Sequence, residues 1–259
     1  MDAAGGFDGL IVDLDGVVWI GHDAVPGSPA AVAAFRERGI PLVFLTNDPT
    51  GSRAEYVARL ANVGIPATEA EVVTSGRALA AFMRDGENAG TTVYAIGSPS
   101  LKAELEAAGL ELRDDVDVEA VAVAGHRGFD YEELRIATQA VRRGARLYAA
   151  GRDATFPMPD GPWPATGAIL AAVETASGAH ATSVGKPEPY IFEIARSLLR
   201  DCPSVAIVGD NLQSDIAGGK RAGLATILVL SGTTTRADLE NAGVEPDLVL
   251  PDLAALADA

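Results

Sequence analysis

Cysteine is nearly absent from this chain of 259 residues, and long hydrophobic runs do not occur in it. The single cysteine, Cys202, has no partner for an intramolecular disulfide, so nothing indicates an oxidising compartment. No stretch approaches the roughly 18 uninterrupted apolar residues of a membrane-spanning helix. The first residues carry acid where a secretory signal would carry Lys or Arg. We therefore expect a cytoplasmic protein with no membrane partner.

Positive charge is also scarce. Lys and Arg together number 20 against 36 Asp and Glu, which gives a formal net charge of −16. Binding to a phosphate backbone demands a basic surface, so we expect no nucleic acid partner. The same charge repels small anions at long range. An enzyme acting on anions would therefore need local positive charge, from a metal ion or from one of the lysines, which are Lys102, Lys186 and Lys220.

The glycine-rich phosphate loops of nucleotide-binding proteins are missing as well. No G-x-G-x-x-G follows the first predicted strand, and no G-x-x-x-x-G-K-[ST] occurs, so the dinucleotide and P-loop classes lose their main support. Short apolar runs instead alternate with amphipathic segments, as is typical of an α/β protein with a parallel sheet. Runs such as L-I-V-D-L are apolar on both faces, as burial between helix layers requires.

This alternation predicts the following elements. The predicted strands are Gly9–Leu14, Pro41–Thr46, Glu71–Thr74, Thr92–Ile96, Val121–Ala124, Arg146–Ala150, Val205–Gly209, Ala225–Leu230 and Asp247–Leu250. The predicted helices are Ser28–Arg38, Arg53–Asn62, Arg77–Arg84, Leu101–Ala108, Tyr131–Arg143, Gly167–Ala176, Pro189–Leu199, Gln213–Arg221 and Arg236–Asn241. Residues 151–167 are dense in Pro and Gly and are predicted to form a long functional loop.

Polar side chains follow three of the predicted strands. Asp13 and Asp15 end the first strand, Thr46 ends the second, and Asp210 follows the seventh. Ligands bind at the carboxyl ends of strands in open parallel sheets, so we expect these groups to share one site. Two carboxylates this close repel each other unless a cation offsets their charge, and Mg²⁺ prefers such hard oxygen ligands. Lys186 would add a point charge for phosphate oxygens.

Four motifs then resemble, in order, those of the haloacid dehalogenase-like hydrolases. They are D-L-D-G-V-V-W, F-L-T-N, G-K-P-E-P and V-G-D-N-L-Q-S-D-I. The finer resemblance is to the NagD-like, p-nitrophenyl phosphatase branch, with support from V-V-T-S-G at residues 72–76 and from D-A-T-F-P and A-T-G-A-I-L in the long loop. Each motif alone is weak, whereas all four at matching spacing are specific, and they cover essentially the whole chain.

The resemblance implies a Mg²⁺-dependent phosphatase that hydrolyses small phosphomonoesters through an aspartyl-phosphate intermediate. Asp13 would be the nucleophile, and Asp15 would protonate the leaving oxygen and then take a proton from water. Asp13, Asp210 and the backbone carbonyl of Asp15 would bind Mg²⁺, while Asp215 and Asn211 would orient these groups. The groups implied to hold the phosphoryl oxygens are Asp15, Gly16, Thr46, Asn47 and Lys186.

The long interval between Thr46 and Lys186 implies an inserted domain, because one crossover needs far fewer residues. In this superfamily an insertion at that place is a type-2 cap. We predict an α/β cap over residues 86–182 and a doubly wound, Rossmann-like core from residues 1–85 and 183–259, with a hinge at Asp85–Gly90. A cap excludes water and selects substrates. Gly151-Arg152-Asp153 stands where the family often has T-N-x-D. Arg152 is predicted to contact an anionic substrate tail, and Arg152 and Asp153 are candidate specificity residues of the cap.

One departure from the family pattern concerns Asp48, which replaces the usual second Asn of T-N-N. A carboxylate there should weaken anion binding unless it turns away or pairs with Arg53. Asp48 thus leaves a catalytically silent phosphate-binding protein open as an alternative. A phosphotransferase using the same intermediate is a second alternative. A signalling receiver domain fits less well, because its acidic residues come in a different order. The expected partner is a small phosphorylated metabolite of open identity, and a homodimer is left open.

Overall fold

The computed structural model describes residues 6–86, 90–158, 160–240 and 243–258. Its strands are β1 (Gly9–Asp13), β2 (Trp19–Ile20), β3 (Asp23–Ala24), β4 (Leu42–Thr46), β5 (Val72–Thr74), β6 (Thr92–Ile96), β7 (Glu111–Leu112), β8 (Ala120–Val123), β9 (Arg146–Ala149), β10 (Thr155–Met158), β11 (Gly161–Pro164), β12 (Thr182–Ser183), β13 (Val205–Gly209), β14 (Ala225–Val229) and β15 (Leu248–Leu250). Its α-helices are α1 (Ser28–Glu37), α2 (Arg53–Asn62), α3 (Ser75–Gly86), α4 (Pro99–Ala107), α5 (Tyr131–Arg142), α6 (Thr166–Ser177), α7 (Pro189–Ser197), α8 (Ala217–Arg221), α9 (Arg236–Leu239) and α10 (Leu253–Ala257).

The chain divides into two compact units. The first takes its residues from Met1–Thr46, Arg53–Val73 and Lys186–Ala259, and the second from Asn47–Ser52 and Thr74–Gly185. The predicted α/β class is confirmed, because each unit contains a largely parallel sheet with helices between its strands. The cap boundaries at 86 and 182 stay a prediction, and residues 87–89 of the predicted hinge lie outside the described residues.

A six-stranded sheet with the order β15-β14-β13-β1-β4-β5 forms the centre of the first unit. The central strand β1 pairs in parallel with β13 on one side and β4 on the other. The chain therefore leaves β1 toward one edge and later returns to its opposite side, which creates a topological switch point beside β1. The carboxyl ends of β1, β4 and β13 meet at this point.

Hydrophobic burial explains the central position of β1, whose five residues are all buried. Leu10 and Val12 join a core that includes Val32 and Phe35 of α1 and Phe44 of β4. Burying such side chains stabilises the fold by about 1.5–3 kcal/mol each. A strand of this composition is stable only when both of its faces are covered. Its acidic residue, Asp13, therefore lies at the carboxyl end of β1, at the rim of the sheet.

The second unit contains a five-stranded sheet with the order β12-β9-β8-β6-β7, whose pairs are all parallel. Val121 and Val123 of β8 pack with Ile136 of α5 and Leu170 of α6. Helix α5 begins with a capping box, in which Asp130 accepts a hydrogen bond from the Glu133 N–H and Glu133 accepts one in return. This unit therefore has a core of its own.

The segment 151–167 differs from its prediction as a loop, because β10 and β11 form an antiparallel hairpin within it. Phe156 pairs with Trp163, and their ring centroids lie 6.4 Å apart. Prolines within both strands lack an N–H donor and hide the strand pattern in the sequence. An isolated two-stranded ribbon tolerates them, since its outer edges need no ladder partners. Pro159 of this segment lies outside the described residues.

Other differences are local. The predicted helix Gln213–Arg221 is a π-helical turn at Leu212–Ile216 followed by α8. Helix α9 ends at Leu239, and Asn241 of its predicted span lies outside the described residues. Helix α10 and four two-residue strands were not predicted, because segments this short carry no measurable periodicity. Within the described part of the chain, no helix combines the length and apolar character needed to cross a bilayer.

Candidate active site

Four charged side chains form a buried cluster at the carboxyl edge of the core sheet. Asp13 ends β1, Asp210 follows β13, Asp215 lies in the π-helical turn, and Lys186 precedes α7. The Lys186 Nζ lies 2.6 Å from Asp13 Oδ1 and 2.7 Å from Asp215 Oδ1. None of the four is more than 6% exposed. The structure thus brings together residues that are far apart in sequence and that were predicted to share one site.

The charges in this cluster do not balance. One carboxylate oxygen from each of Asp13, Asp210 and Asp215 lies within 4.8 Å of the others, and Lys186 is the cation bonded among them. Burial raises the pKa of Asp13 well above its ordinary range, against the opposing effect of Lys186. Burial and the neighbouring Asp215 likewise raise the pKa of Asp210. Buried carboxylates in excess of cations fit a divalent metal ion with hard oxygen ligands.

Lys186 is held in its charged form. Burial disfavours an ammonium group, yet the ion pairs with Asp13 and Asp215 outweigh that effect and raise the Lys186 pKa. Its Nζ therefore stays protonated at every physiological pH. A fixed ammonium group beside a carboxylate suits the binding of a phosphoryl group, because it offsets negative charge without donating its proton.

Both carboxylate oxygens of Asp215 are engaged by the protein. Oδ1 accepts a hydrogen bond from Lys186, and Oδ2 accepts one from the Asn211 N–H at 3.0 Å. The Asn211 side chain in turn caps the π-helical turn by accepting from the N–H groups of Gln213 and Ser214. Gly209 leaves the necessary space, since a Cβ atom there would lie 2.3 Å from the Asp215 Cβ. Asp215 is thus fixed in position.

Two glycines confine Asp210. A Cβ atom at Gly16 would lie 2.3 Å from Asp210 Oδ2, and one at Gly232 would lie 2.1 Å from the same atom. Gly16 also has a φ of +83°, which other residues rarely adopt. The Thr233 N–H donates to Asp210 Oδ2. Gly232 and Thr233 were not among the predicted site residues, although both lie in the S-G-T-T stretch that follows the predicted strand Ala225–Leu230.

Asp15 lies outside the buried cluster, and its side chain is 57% exposed. Its Oδ1 accepts a hydrogen bond of 2.9 Å from the indole N–H of the buried Trp19. The Arg59 Nη2 lies 3.7 Å from the same oxygen. The turn from Asp15 to Trp19 is closed by the Gly16 N–H, which donates to the Trp19 carbonyl at 2.7 Å. Arg59 comes from α2 and was missed by sequence reasoning.

The other predicted site residues divide between the two units. Thr46 is buried at the end of β4 in the first unit. In the second unit, the Asn47 side-chain amide donates to Asp153 Oδ2 at 2.7 Å. Arg152 pairs with Glu174 of α6 at 2.9 Å and donates to the Ala181 carbonyl. The positive charge of Arg152 is therefore partly offset within the unit.

Asp48, the departure from the family pattern, accepts hydrogen bonds from the N–H and the hydroxyl of Thr50, at 2.9 and 2.6 Å. Asp residues commonly close turns in this way. The Oδ1 atom of Asp48 is therefore engaged by its own turn. His126 forms a contact of 2.9 Å with Glu133 of α5, which makes it part of the packing of the second unit.

Comparison with known proteins identifies the family. Residues 10–111 match the family described as haloacid dehalogenase-like hydrolase, and residues 183–256 match the one described as HAD-hydrolase-like. The acid sugar phosphatase of Staphylococcus haemolyticus is 36% identical over 248 residues, which are 95% of this chain and 94% of that protein. The chain therefore belongs to the haloacid dehalogenase-like hydrolases.

Two solved structures place it more closely. NagD from E. coli K-12 aligns with a TM-score of 0.88 and 34% identity over 95% of this chain and 97% of that one. The glycerol phosphate phosphatase from Mycobacterium tuberculosis in complex with magnesium aligns with a TM-score of 0.92 and 30% identity over 99% of this chain and 78% of that one. The chain lies in the NagD-like branch of the family, and the predicted resemblance is confirmed.

Proposed function

We propose that this protein is a Mg²⁺-dependent phosphatase that hydrolyses small phosphomonoesters through an aspartyl-phosphate. The observation that carries the proposal is the Lys186 ammonium group, which is fixed between Asp13 and Asp215 at the switch point of the core sheet. Phosphoryl transfer through a carboxylate requires a nucleophilic carboxylate and a fixed cation beside it. Here two further carboxylates, of Asp210 and Asp215, each place an oxygen within 4.8 Å of one on Asp13. The phosphatase relatives support the same reaction.

The reaction proceeds in two displacements. In the first, an Asp13 carboxylate oxygen forms a bond to phosphorus while the bond to the leaving oxygen breaks, and Asp15 gives its proton to that oxygen. In the second, the water oxygen forms a bond to phosphorus while the bond from phosphorus to the Asp13 oxygen breaks. Asp15 takes a proton from that water, and inorganic phosphate and the Asp13 carboxylate are released. Asp15 can serve both steps because its side chain is exposed, unlike that of Asp13.

The remaining residues hold the phosphoryl group. Lys186 offsets charge on the phosphoryl oxygens and on the nucleophile, and the Thr46 hydroxyl supplies a further donor, whereas the Gly16 N–H already donates to the Trp19 carbonyl. Asn47 is assigned the same role. Asp215, whose two oxygens already accept from Lys186 and from the Asn211 backbone, keeps the ammonium group in place.

Asp13, Asp210 and the backbone carbonyl of Asp15 would hold Mg²⁺. The excess of buried carboxylates over lysine at this place supports the assignment, and the mycobacterial relative was solved with magnesium. When bound, Mg²⁺ neutralises the repulsion between the nucleophile and the anionic substrate. Asp215 is left out of the ligand set because both of its oxygens are already hydrogen-bonded.

The substrate class follows from the relatives and the second unit. Relatives named acid sugar phosphatase and glycerol phosphate phosphatase favour a small phosphorylated sugar or polyol. We assign residues 86–182 as the substrate-selecting cap, with Arg152 and Asp153 as its candidate specificity residues. A cytoplasmic location fits such a metabolite, and a homodimer stays a prediction.

The first test is phosphate release from p-nitrophenyl phosphate with and without Mg²⁺. We expect turnover by the wild type to require Mg²⁺, and Asp13→Asn to reduce kcat by about 10³-fold or more, as loss of a nucleophile does elsewhere. Asp201→Asn makes the same chemical change at an exposed position and should retain wild-type activity. Turnover that persists in Asp13→Asn, or that needs no divalent metal, would contradict the proposal.

A further inference from the structure

Two side chains converge on one oxygen of Asp15. Trp19 is fully buried, and its indole N–H donates to Asp15 Oδ1 at 2.9 Å. The Arg59 guanidinium carbon lies 3.9 Å above the centroid of the Trp19 ring, while its Nη2 lies 3.7 Å from Asp15 Oδ1. Arg59 also donates to the Gly21 carbonyl. The guanidinium group is thus stacked on an immobile ring and fixed at its outer end.

This arrangement distinguishes the two oxygens of the Asp15 carboxyl group. Oδ1 faces an N–H donor and a cation, so a proton on Oδ1 would meet two groups that are themselves positively polarised. Oδ1 is therefore a poor site for a proton. An exposed aspartate side chain would otherwise rotate freely and carry its proton on either oxygen.

We propose that Trp19 and Arg59 are positioning residues that hold Asp15 through Oδ1, so that Oδ2 is the atom that donates the proton to the leaving oxygen. This inference rests on the proposed function of Asp15 and adds the two residues that fix the orientation of its carboxyl group. Arg59 belongs to α2, whereas Trp19 belongs to β2 and Asp15 to the turn between β1 and β2. Their arrangement therefore depends on packing within the first unit rather than on the turn alone.

Loss of the contacts from Trp19 and Arg59 has a consequence that simple destabilisation lacks. A good leaving group departs without full protonation, whereas a poor one needs the acid in the transition state. Loss of the contacts that orient Asp15 should therefore reduce kcat/KM more for phenyl phosphate than for p-nitrophenyl phosphate. Phenol has a pKa near 10, as tyrosine does, and its nitro derivative is a much better leaving group. The two esters have nearly the same size, so binding effects largely cancel in their ratio.

The experiment measures kcat/KM for both esters, with saturating Mg²⁺, in Trp19→Phe and Arg59→Met. Phe keeps a buried ring but has no N–H, and Met keeps the length of Arg59 but has no charge. We expect the kcat/KM ratio of p-nitrophenyl to phenyl phosphate to rise by about 5-fold or more in each variant, within the range that general acid catalysis supplies. Asp15→Asn should raise the ratio most.

Arg36→Met is the matched control, because it makes the same change as Arg59→Met in the same unit, at an arginine that pairs with Glu71 rather than with Asp15. Its ratio should equal that of the wild type. Equal losses on both esters in Trp19→Phe and Arg59→Met, or no loss at all, would overturn the inference. If Trp19→Phe fails to fold, the ratio measured for Arg59→Met tests the inference alone. A wild type inactive on both esters, or an unchanged ratio in Asp15→Asn, would count against the proposed function instead.

Discussion

Asp210 has little freedom at the residue scale, because its Oδ2 lies where a side chain at Gly232 would begin. Unlike Gly16, Gly232 does not need a left-handed backbone, so the requirement for glycine there is purely steric. A methyl group at 2.1 Å from Oδ2 would have to push the carboxylate aside or move the backbone itself. The position of a proposed metal ligand thus depends on a residue with no chemistry of its own.

We predict that Gly232→Ala raises the Mg²⁺ concentration needed for half-maximal activity by about 10-fold or more, within the range for altered groups around a metal ligand. The physical reason is the displaced Asp210 carboxylate. The measurement is a Mg²⁺ titration of phosphate release, accompanied by a thermal melt.

Gly86→Ala is the control for that titration, because a Cβ atom at Gly86 would meet nothing within 4 Å. It should leave the Mg²⁺ requirement unchanged. An unaltered Mg²⁺ requirement in Gly232→Ala would show that Asp210 does not need its observed position.

At the scale of elements, Asp247 ties three parts of the core unit together. Its Oδ2 accepts hydrogen bonds from the N–H and the hydroxyl of Thr226 in β14, both at 2.8 Å. Its Oδ1 accepts one from Lys220 of α8 at 2.9 Å. The bond from Lys220, followed by those from Thr226, lowers the Asp247 pKa. The carboxylate therefore fastens β15, which begins at the next residue, to its neighbours.

A lowered pKa in the folded state means that folding favours the ionised carboxylate. Its contribution to stability is complete above the unfolded pKa of about 3.9 and is lost as the pH falls through the lower folded pKa. We predict that Asp247→Asn lowers the free energy of unfolding by about 1 kcal/mol at neutral pH, a modest amount because the side chain is half-exposed. Urea unfolding at pH 7 and at pH 3 measures the difference.

The difference in free energy of unfolding between Asp247→Asn and the wild type should be smaller at pH 3, because the wild-type carboxylate begins to take up a proton there. Asp201→Asn, at an exposed position, should match the wild type at both pH values. An equal difference in free energy of unfolding at both pH values would show that the ionised form of Asp247 does not stabilise the fold more than its neutral form.

The sequence predicts some of these elements much better than others. Strands β1 and β13 were predicted because every residue in them is apolar up to the acidic end, and burial on both faces requires that pattern. Strands β10 and β11 were hidden by prolines, and the π-helical turn after β13 has no signature separate from an ordinary helix. Local pattern thus predicts an element where its periodicity extends over enough residues.

The same distinction applies to the site. Four residues of the site could be named because each lies in one of the motifs of the family, and they are Asp13, Lys186, Asp210 and Asp215. Arg59 could not, because its contact with Trp19 joins helix α2 to strand β2, and only the tertiary packing places them together. Tertiary contacts of this kind carry no signal in a single sequence.

At the scale of the whole molecule, the charge of −16 opposes the approach of an anionic substrate. Salt screens this repulsion, since the Debye length falls from about 30 Å at 0.01 M to about 8 Å at 0.15 M ionic strength. We predict that kcat/KM for p-nitrophenyl phosphate rises about twofold over this range of KCl at constant Mg²⁺, while kcat stays constant. A fall in kcat/KM would show that local positive charge at the site dominates the long-range field.

The strand order of the core sheet has a consequence for synthesis on the ribosome. The central strand β1 precedes the second unit in the chain, yet its partner β13 follows only after the whole of that unit. Until Val205–Gly209 has emerged, one edge of β1 has no partner, whereas the sheet of the second unit is already complete. The inserted unit is thus free to fold first, and the nascent chain must keep the edge of β1 from aggregating until its C-terminal strands arrive.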